Sequence, residues 1–367
     1  MDPSPPDDSI RRIMSGAAWN EFCDALKAAG NVITSDISPS DAFQRAEGYR
    51  YLTRLLRAAL ETFVEDADAA APELIRTCHE TIKMGADNPD NYYQNAPING
   101  KYAYRLFGRR GTVHYLGFGT QEGNYGATGN LATSGYLDAS ELALAPDGTF
   151  EIAVSCEKTP GNWLPMTPKS RTLVVRQTFL DRAREKPAEL KIERVGGRHV
   201  PRPLTPQAID RGLAASAKFV EGCARLFNQW ADGFKSRINE LPLFDPRVAT
   251  AAGGVPHIAY YHGYWRLEPD EALVIEVTPP VCDYWNFQLN NHWMESLDYR
   301  YYNISINRHS AKLRADGSVR VIVAERDPGA GNWIDTAGHT EGTMCWRWVR
   351  ALQHPQPATR VVKLGDL

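Results

Sequence analysis

The hydrophobic positions of the first part of this chain follow the spacing of amphipathic helices. From Phe43 to about Val64, apolar residues recur every three or four positions, and Ser38 to Asp41 gives an N-cap signal just before them. Further helices are predicted over Ala17 to Ala29, over Pro72 to Lys83, which begins with proline in its first turn, and over Ile209 to Ile238. The chain up to Gly85 is therefore expected to be helical.

Two later regions alternate between apolar and polar residues in the manner of strands. The second of them runs from about His257 to Val349. Pro146 to Gly148 has the composition of a hairpin turn within the first region. The strands predicted in that first region are Tyr102–Leu106, Val113–Phe118, Glu141–Leu144, Phe150–Ser155 and Arg171–Phe179.

These blocks predict an α+β fold with helices preceding each of two β regions. We expect an N-terminal helical region at 1–88, a first β-sandwich at 89–200, a helical connector at 201–250 and a second β-sandwich at 251–367. The second sandwich is expected to carry the functional site.

The two β regions also resemble each other in sequence. Three segments match at a nearly constant shift along the chain: Val113–Phe118 with Cys282–Phe287, Pro146–Thr149 with Ala315–Ser318, and Pro160–Trp163 with Ala330–Trp333. A period as long as this shift excludes a solenoid. It predicts two related antiparallel β-sandwiches, packed together in pseudo-symmetry. The shared Gly-Asn-Trp segments are expected to serve the fold, with asparagine bonding backbone groups.

The segment from Leu273 to Arg350 contains the motifs DYWNFQL, NHWMESLDY, SINR, ADGS and DPGAGNWIDT. With these motifs it resembles the bacterial proteins of domain-of-unknown-function family 1214. The resemblance implies two jelly-roll-like β-sandwiches, and it implies no activity or cofactor. Asn307, Arg308, Asn332 and Trp333 match recurring motif positions, whereas Asp335 departs from the leucine-proline usual after the tryptophan.

Composition limits the classes of function. The 367 residues carry a net charge of -3, so no basic excess is present to neutralise a nucleic-acid backbone. The acidic, proline-rich start is unlike a signal peptide, and no apolar run is long enough to span a membrane. We therefore expect a cytoplasmic protein that binds neither nucleic acid nor membrane. The six scattered cysteines indicate reduced thiols.

The densest mixture of aromatic and ionisable side chains lies between Asp283 and Arg308. Comparison with the first copy narrows this stretch, because features found in one copy only are better functional candidates. Asn290 to Tyr299 replaces the glycine-rich Thr120 to Gly129, and Asn307 to His309 replaces Asp138 to Ser140. The second β region thus contains the polar candidate residues, and the first β region is expected to be its structural partner.

The candidate chemistry is acid–base. Glu295 and Asp298 are spaced to act as a general acid and base, and His292 is expected to act as a base near neutral pH. The alternative to a catalytic role is that the two carboxylates are solvated loop residues and that the histidine is structural. The predicted substrate-binding residues are Trp293, Tyr299, Arg300, Asn307, Arg308, His309, Asp335 and His339.

These groups predict a cofactor-independent enzyme, a hydrolase or lyase, acting on a small hydroxylated substrate such as a sugar, a glycoside or an aromatic metabolite. The alternative is a non-catalytic β-sandwich that stacks a glycan or another small ligand on Trp285 and Trp293. The third possibility is a scaffold protein, in which the cleft faces another subunit of a homo-oligomer. No metal site is predicted, because the histidines lack the spacing of a metal-binding jelly roll.

Overall fold

Five α-helices lie within the described residues, which are 8–126, 131–197, 199–255 and 257–367 of a computed structural model. The longest, α4, begins where Thr205 caps it by accepting a hydrogen bond from the backbone N–H of Ala208, with Pro206 in its first turn. A π-helical turn, Glu61–Glu65, continues α3. The bounds are α1 Asp8–Met14, α2 Ala17–Gly30, α3 Ala42–Leu60, α4 Pro206–Phe234 and α5 Pro246–Ala251.

The structure confirms three of the four predicted helices, as α2, α3 and α4. The helix predicted over Pro72 to Lys83 is wrong, because tertiary contacts hold this segment in an irregular conformation. The backbone of Ile75 pairs with Asn95, and the ammonium group of Lys83 donates to two carbonyl groups of residues 296 and 297 at 2.7 and 2.8 Å. The chain before Gly85 is therefore only partly helical.

Sixteen strands in the described residues form four sheets of four strands each. In the first half the sheets have the orders β1-β7-β3-β4 and β6-β5-β2-β8, and in the second half β12-β11-β15-β9 and β14-β13-β10-β16. The strand predicted at Glu141–Leu144 is wrong, because a 3-10 turn at Ala139–Glu141 occupies its start. The bounds are β1 Asn91–Pro97, β2 Tyr104–Arg109, β3 Tyr115–Glu122, β4 Ala132–Asp138, β5 Thr149–Ser155, β6 Trp163–Pro165, β7 Ser170–Thr178, β8 Glu189–Arg194, β9 Ile258–Arg266, β10 Glu271–Val277, β11 Tyr284–Leu289, β12 Ser305–Asn307, β13 Val319–Ala324, β14 Asn332–Asp335, β15 Glu341–Val349 and β16 Ala358–Lys363.

The two halves have the same topology, which confirms the internal repeat. Strands β1 to β8 correspond in order and pairing to β9, β10, β11, β12, β13, β14, β15 and β16, and each half has one parallel pair, β5 with β6 and β13 with β14. The Gly-Asn-Trp segments serve the fold as predicted. The amide of Asn162 donates to the carbonyls of residues 143 and 151, and that of Asn332 donates to those of residues 312 and 320.

Each half encloses its own core between its two sheets. Leu106, Phe118 and Leu173 are buried in the first core, and Ile275 and Trp346 in the second. A third core packs α3 and α4 against the outer face of sheet β12-β11-β15-β9. The halves meet directly where Tyr115, Tyr284 and Val349 cluster, so pseudo-equivalent strands β3 and β11 approach each other. This contact places the outer faces of two sheets opposite one another.

Candidate functional site

The three predicted acid–base residues do not interact with one another; each is bound to a different group of the protein. Glu295 is 1% exposed and pairs with Arg54 at 2.6 Å. Burial raises the pKa of Glu295, and the ion pair with Arg54 opposes the shift. The Arg300 guanidinium, 2.7 Å from Asp298, lowers the pKa of that carboxyl group. The two carboxylates therefore have different partners rather than sharing a proton.

His292 is fully buried. Its Nε2 lies 2.8 Å from the side-chain oxygen of Asn228, and its Nδ1 lies 3.1 Å from the hydroxyl of Tyr264. Burial, together with the positive charge of Lys235, lowers the pKa of His292 to about 3. The imidazole is therefore neutral at pH 7, and both of its nitrogens already have partners.

The predicted substrate-binding residues are likewise engaged with protein groups. Arg308 donates to the carbonyls of residues 282 and 283 at 2.7 and 3.0 Å, and Asn307 donates to Asp90 at 3.0 Å. His309 lies 3.6 Å from a carboxylate oxygen of residue 181. Asp335 accepts from the backbone of residue 337 at 2.7 Å. The remaining members of the predicted set are Trp293, Tyr299, Arg300 and His339. None of the predicted substrate-binding residues lines the large cavity between the two sandwiches.

The aromatic and ionisable stretch between Asp283 and Arg308 contributes to the surface on which helix α3 docks. The Trp293 indole donates to the backbone carbonyl of Gln44 at 2.8 Å, and a Cβ at Gly48 would lie 2.6 Å from the indole ring. His339 Nε2 lies 2.9 Å from the carboxylate of Glu47. Trp285 and Trp293 are 2% and 0% exposed, so the prediction that they form a stacking surface is wrong.

A large cavity lies between the two sandwiches. Its volume is about 980 Å³, which is the size of sites that enclose a drug-sized ligand. The outer faces of the two pseudo-equivalent sheets form opposite walls, and α4, the π-helical turn and residues 84–88 close the sides. The apolar part of the lining includes Met84, Phe219, Phe227, Trp230, Phe244, Ile258 and Val349.

Two pseudo-equivalent arginine–tyrosine pairs line this cavity. Tyr93 on β1 is directly opposite Arg176 on β7, and Tyr260 on β9 is directly opposite Arg347 on β15. Burial raises the pKa of both phenols, and the positive charges of both arginines oppose the shift at each. The four groups therefore lie in one part of the cavity.

The two arginines differ in how their hydrogen bonds are used. Arg347 is 5% exposed and donates to Asn286 at 3.2 Å, to Gln288 at 2.6 Å and to the carbonyl of Ala86. Arg176 is half-buried and donates to the carbonyl of Gly253 at 2.8 Å. Neither forms an ion pair with a carboxylate of the described residues. Arg347 thus supplies fixed positive charge, whereas Arg176 retains donors for a ligand.

Two buried carboxylates that interact with the charge of Arg347 are hydrogen-bonded to other groups. Asp87 accepts hydrogen bonds from the backbone N–H and the hydroxyl of Ser296 at 2.9 and 2.7 Å. Asp90 accepts from the hydroxyl of Tyr284 at 2.6 Å. Burial raises the pKa of both carboxyl groups, and the positive charge of Arg347 opposes the shift at each.

Two further side chains in the cavity wall have buried polar atoms without a partner among the described residues. They are the Nδ1 of His262 and both amide atoms of Gln121. Burial and the charge of Arg347 lower the pKa of His262 to about 3, so this imidazole is neutral at pH 7. Buried polar groups are normally hydrogen-bonded. These groups are therefore candidates for contact with a ligand.

Sequence reasoning missed this cavity because its polar groups are shared between the copies or lie in the first one. Arg176 and Arg347 are equivalent by strand pairing, but their spacing along the chain is slightly larger than the shift that aligns β3 with β11. Gln121 lies in the glycine-rich segment of the copy interpreted as structural. In β15, Arg347 stands out as the charged residue among Cys345, Trp346, Trp348 and Val349. In β7, Arg176 is one of several polar residues, so the strand gives no comparable signal.

Among the described residues, no group of three or more histidine, cysteine, aspartate or glutamate side chains is arranged to hold a metal ion. No helix in this part of the chain is long and apolar enough to cross a membrane. The six cysteines are free thiols.

Comparison with known proteins places the chain in a family. A crystal structure of an uncharacterized protein from Burkholderia cenocepacia is 53% identical, covers 97% of this chain and 99% of its own, and superposes with a TM-score of 0.96. The VPA0106 protein from Vibrio parahaemolyticus is 11% identical over 86% of this chain and 98% of its own, with a TM-score of 0.49. No curated protein matches. Residues 266–353, in the second β-sandwich, match the model for "Protein of unknown function (DUF1214)". With 53% identity over nearly its whole length, the chain belongs to the same family as the Burkholderia cenocepacia protein.

Proposed function

We propose that this protein binds a small organic acid in the cavity between its two β-sandwiches. The observation that carries the proposal is Arg176, a half-buried guanidinium in the cavity wall that has one hydrogen bond to protein and no ion pair within the described residues. Arginine binds carboxylate and related anions through its planar set of donors. Arg347 adds positive charge to the same part of the cavity.

The rest of the cavity indicates what the acid carries. Phe219, Phe227, Trp230 and Phe244 line it, and aromatic walls of this kind favour a flat or bulky apolar body. The ligand would thus combine an apolar body with one acid group. This proposal retains the small-ligand alternative from the sequence and assigns the ligand to different residues.

The matched dyes anilinonaphthalene sulfonate and N-phenylnaphthylamine test the proposal, because they share an aromatic body and differ in the anionic group. In the Arg176→Met variant, the affinity for the sulfonate should fall about 10- to 100-fold, the effect of losing one charge-assisted hydrogen bond. Affinity for the neutral amine should change less than about twofold. Fluorescence titration measures both.

Arg109→Met is the control, because Arg109 lies on β2 outside the cavity lining. It should leave the affinity of both dyes unchanged. Equal loss of both dyes in Arg176→Met, or no loss of the sulfonate, would contradict the proposed anion site.

The hydrolase or lyase predicted from the sequence stays a prediction. Its proposed acid–base groups, Glu295, Asp298 and His292, hold hydrogen bonds outside the cavity. Within the described cavity lining, His262 is the histidine, and its free Nδ1 would be the acid–base group for a substrate held by Arg176. Its strongly lowered pKa makes it a weak base.

A further inference from the structure

Gln121 combines deep burial with an unsatisfied side-chain amide. It lies on β3 just after a bulge between Thr120 and Gln121, and it is 1% exposed. Neither Nε2 nor Oε1 has a hydrogen-bond partner among the described residues, although the side chain lines the cavity. Leaving a buried amide unpaired lowers the stability of a protein, so a glutamine at this position indicates a contact made with a ligand.

The Gln121 amide lies close to the proposed anion site. The Arg176 guanidinium donates to the carbonyl of Gly253 at 2.8 Å, and a Cβ built on Gly253 would lie 2.9 Å from Nε2 of Gln121. With the short covalent span across one residue, these contacts hold the guanidinium and the amide within about 9 Å of each other. A single small ligand can therefore reach both groups.

We infer that the bound molecule is a hydroxy acid, with Gln121 as the residue that selects for its hydroxyl group. This inference rests on the proposed function, since Arg176 holds the acid group. An amide offers a donor and an acceptor side by side. A hydroxyl group satisfies both, because its hydrogen donates to Oε1 and its oxygen accepts from Nε2.

The physical basis of the selection is the penalty for an unpaired group. An acid that lacks the hydroxyl leaves both polar atoms of the buried Gln121 amide unpaired, as they are without ligand, and so forgoes the two hydrogen bonds that the hydroxy acid makes. Sites that hydrogen-bond a ligand hydroxyl discriminate strongly against analogues that lack it. The same hydroxyl adds little in a site whose polar atoms are already satisfied by protein.

Naphthylglycolate and naphthylacetate test the inference, because they share a carboxylate and an aromatic body and differ by one hydroxyl group. Wild-type protein should bind the glycolate at least about tenfold more tightly in calorimetric titration. Gln121→Met should abolish this preference and leave naphthylacetate within about twofold of wild type. Arg176→Met should weaken both acids by the same factor.

Thermal unfolding without ligand gives a second readout. Gln121→Met should raise the Tm by about 1–3 °C, because it replaces an unsatisfied amide with an apolar side chain of similar length. Gln177→Met is the matched control. The Gln177 amide is fully buried outside the cavity and bonds Gln94 and the backbone of Ala188. Its loss should lower the Tm and leave the preference for the glycolate unchanged.

The outcomes separate the two proposals. If wild-type protein binds both acids equally, or if Gln121→Met keeps the preference, the selective role of Gln121 is overturned and the anion site at Arg176 stands. If neither acid binds, and anilinonaphthalene sulfonate binding is also independent of Arg176, the proposed function itself fails and the inference fails with it.

Discussion

At the scale of single residues, Glu295 is expected to stabilise the fold rather than perform chemistry. Replacing it with glutamine leaves the Arg54 guanidinium, which is 13% exposed, without its counter-charge. Removing one partner of a buried pair costs about 3–5 kcal/mol, and the isosteric amide should retain part of the hydrogen bonding, so we expect a loss of roughly 2–4 kcal/mol in the free energy of unfolding. Urea denaturation measures it.

Asp298→Asn is the matched comparison for that change. The Asp298–Arg300 pair is 33% and 37% exposed, and partly solvated pairs contribute less than about 1 kcal/mol. Similar losses in Glu295→Gln and Asp298→Asn would contradict the structural role of Glu295.

The sequence identifies chemically important side chains but not their burial. Glu295, His292 and Trp293 stand out in the sequence because polar and aromatic groups are dense there. The partners that occupy the first two, Arg54 and Asn228, lie 241 and 64 residues away along the chain. Only the packing of α3 and α4 brings these partners in, so no local pattern separates an acid–base site from a helix-docking surface.

At the scale of elements, α3 depends on contacts with the second sandwich that local sequence does not determine. Apolar spacing and the Asp41 cap predicted the helix correctly, because both signals are local. The segment from Pro72 to Lys83 carries similar signals, but its backbone pairs with β1 instead. Element type was therefore predictable where packing agrees with local preference.

The link between α3 and the β14–β15 loop should depend on pH. Burial lowers the pKa of His339, but the Glu47 carboxylate and two backbone carbonyls outweigh it, so the pKa lies above its usual value. A histidine with a raised folded-state pKa contributes stability that is complete below about pH 6.5 and is lost as pH rises through the folded pKa. His339→Gln should therefore cost about 1–3 kcal/mol at pH 6 and less at pH 9.

Urea denaturation across this pH range measures the difference between His339→Gln and wild type. His309→Gln is the control, because His309 is 52% exposed and pairs with residue 181 rather than with α3. It should follow the wild-type curve. A cost of His339→Gln that stays constant from pH 6 to pH 9 would show that the Glu47 contact does not depend on a charged imidazole.

At the scale of the whole molecule, duplication of one sandwich creates the cavity. The repeat was readable from the sequence because turn and Gly-Asn-Trp segments recur with nearly constant spacing. The cavity could not be predicted from the sequence, because it forms only when the outer faces of sheets β1-β7-β3-β4 and β12-β11-β15-β9 are placed opposite each other. Pseudo-symmetry then provides two arginine–tyrosine pairs, which can take different roles.

The two pseudo-equivalent arginines should therefore respond differently to the same substitution. Arg347→Met leaves Asn286, Gln288 and the carbonyl of Ala86 without their buried donor, and we expect a loss of about 3–5 kcal/mol in the free energy of unfolding. Arg176→Met removes one hydrogen bond to Gly253, which contributes about 1 kcal/mol. Urea denaturation of both variants without ligand measures this contrast. Equal losses would mean that Arg176 is as structural as Arg347, whereas a small loss combined with weaker sulfonate binding assigns stability to one copy of the repeat and ligand recognition to the other.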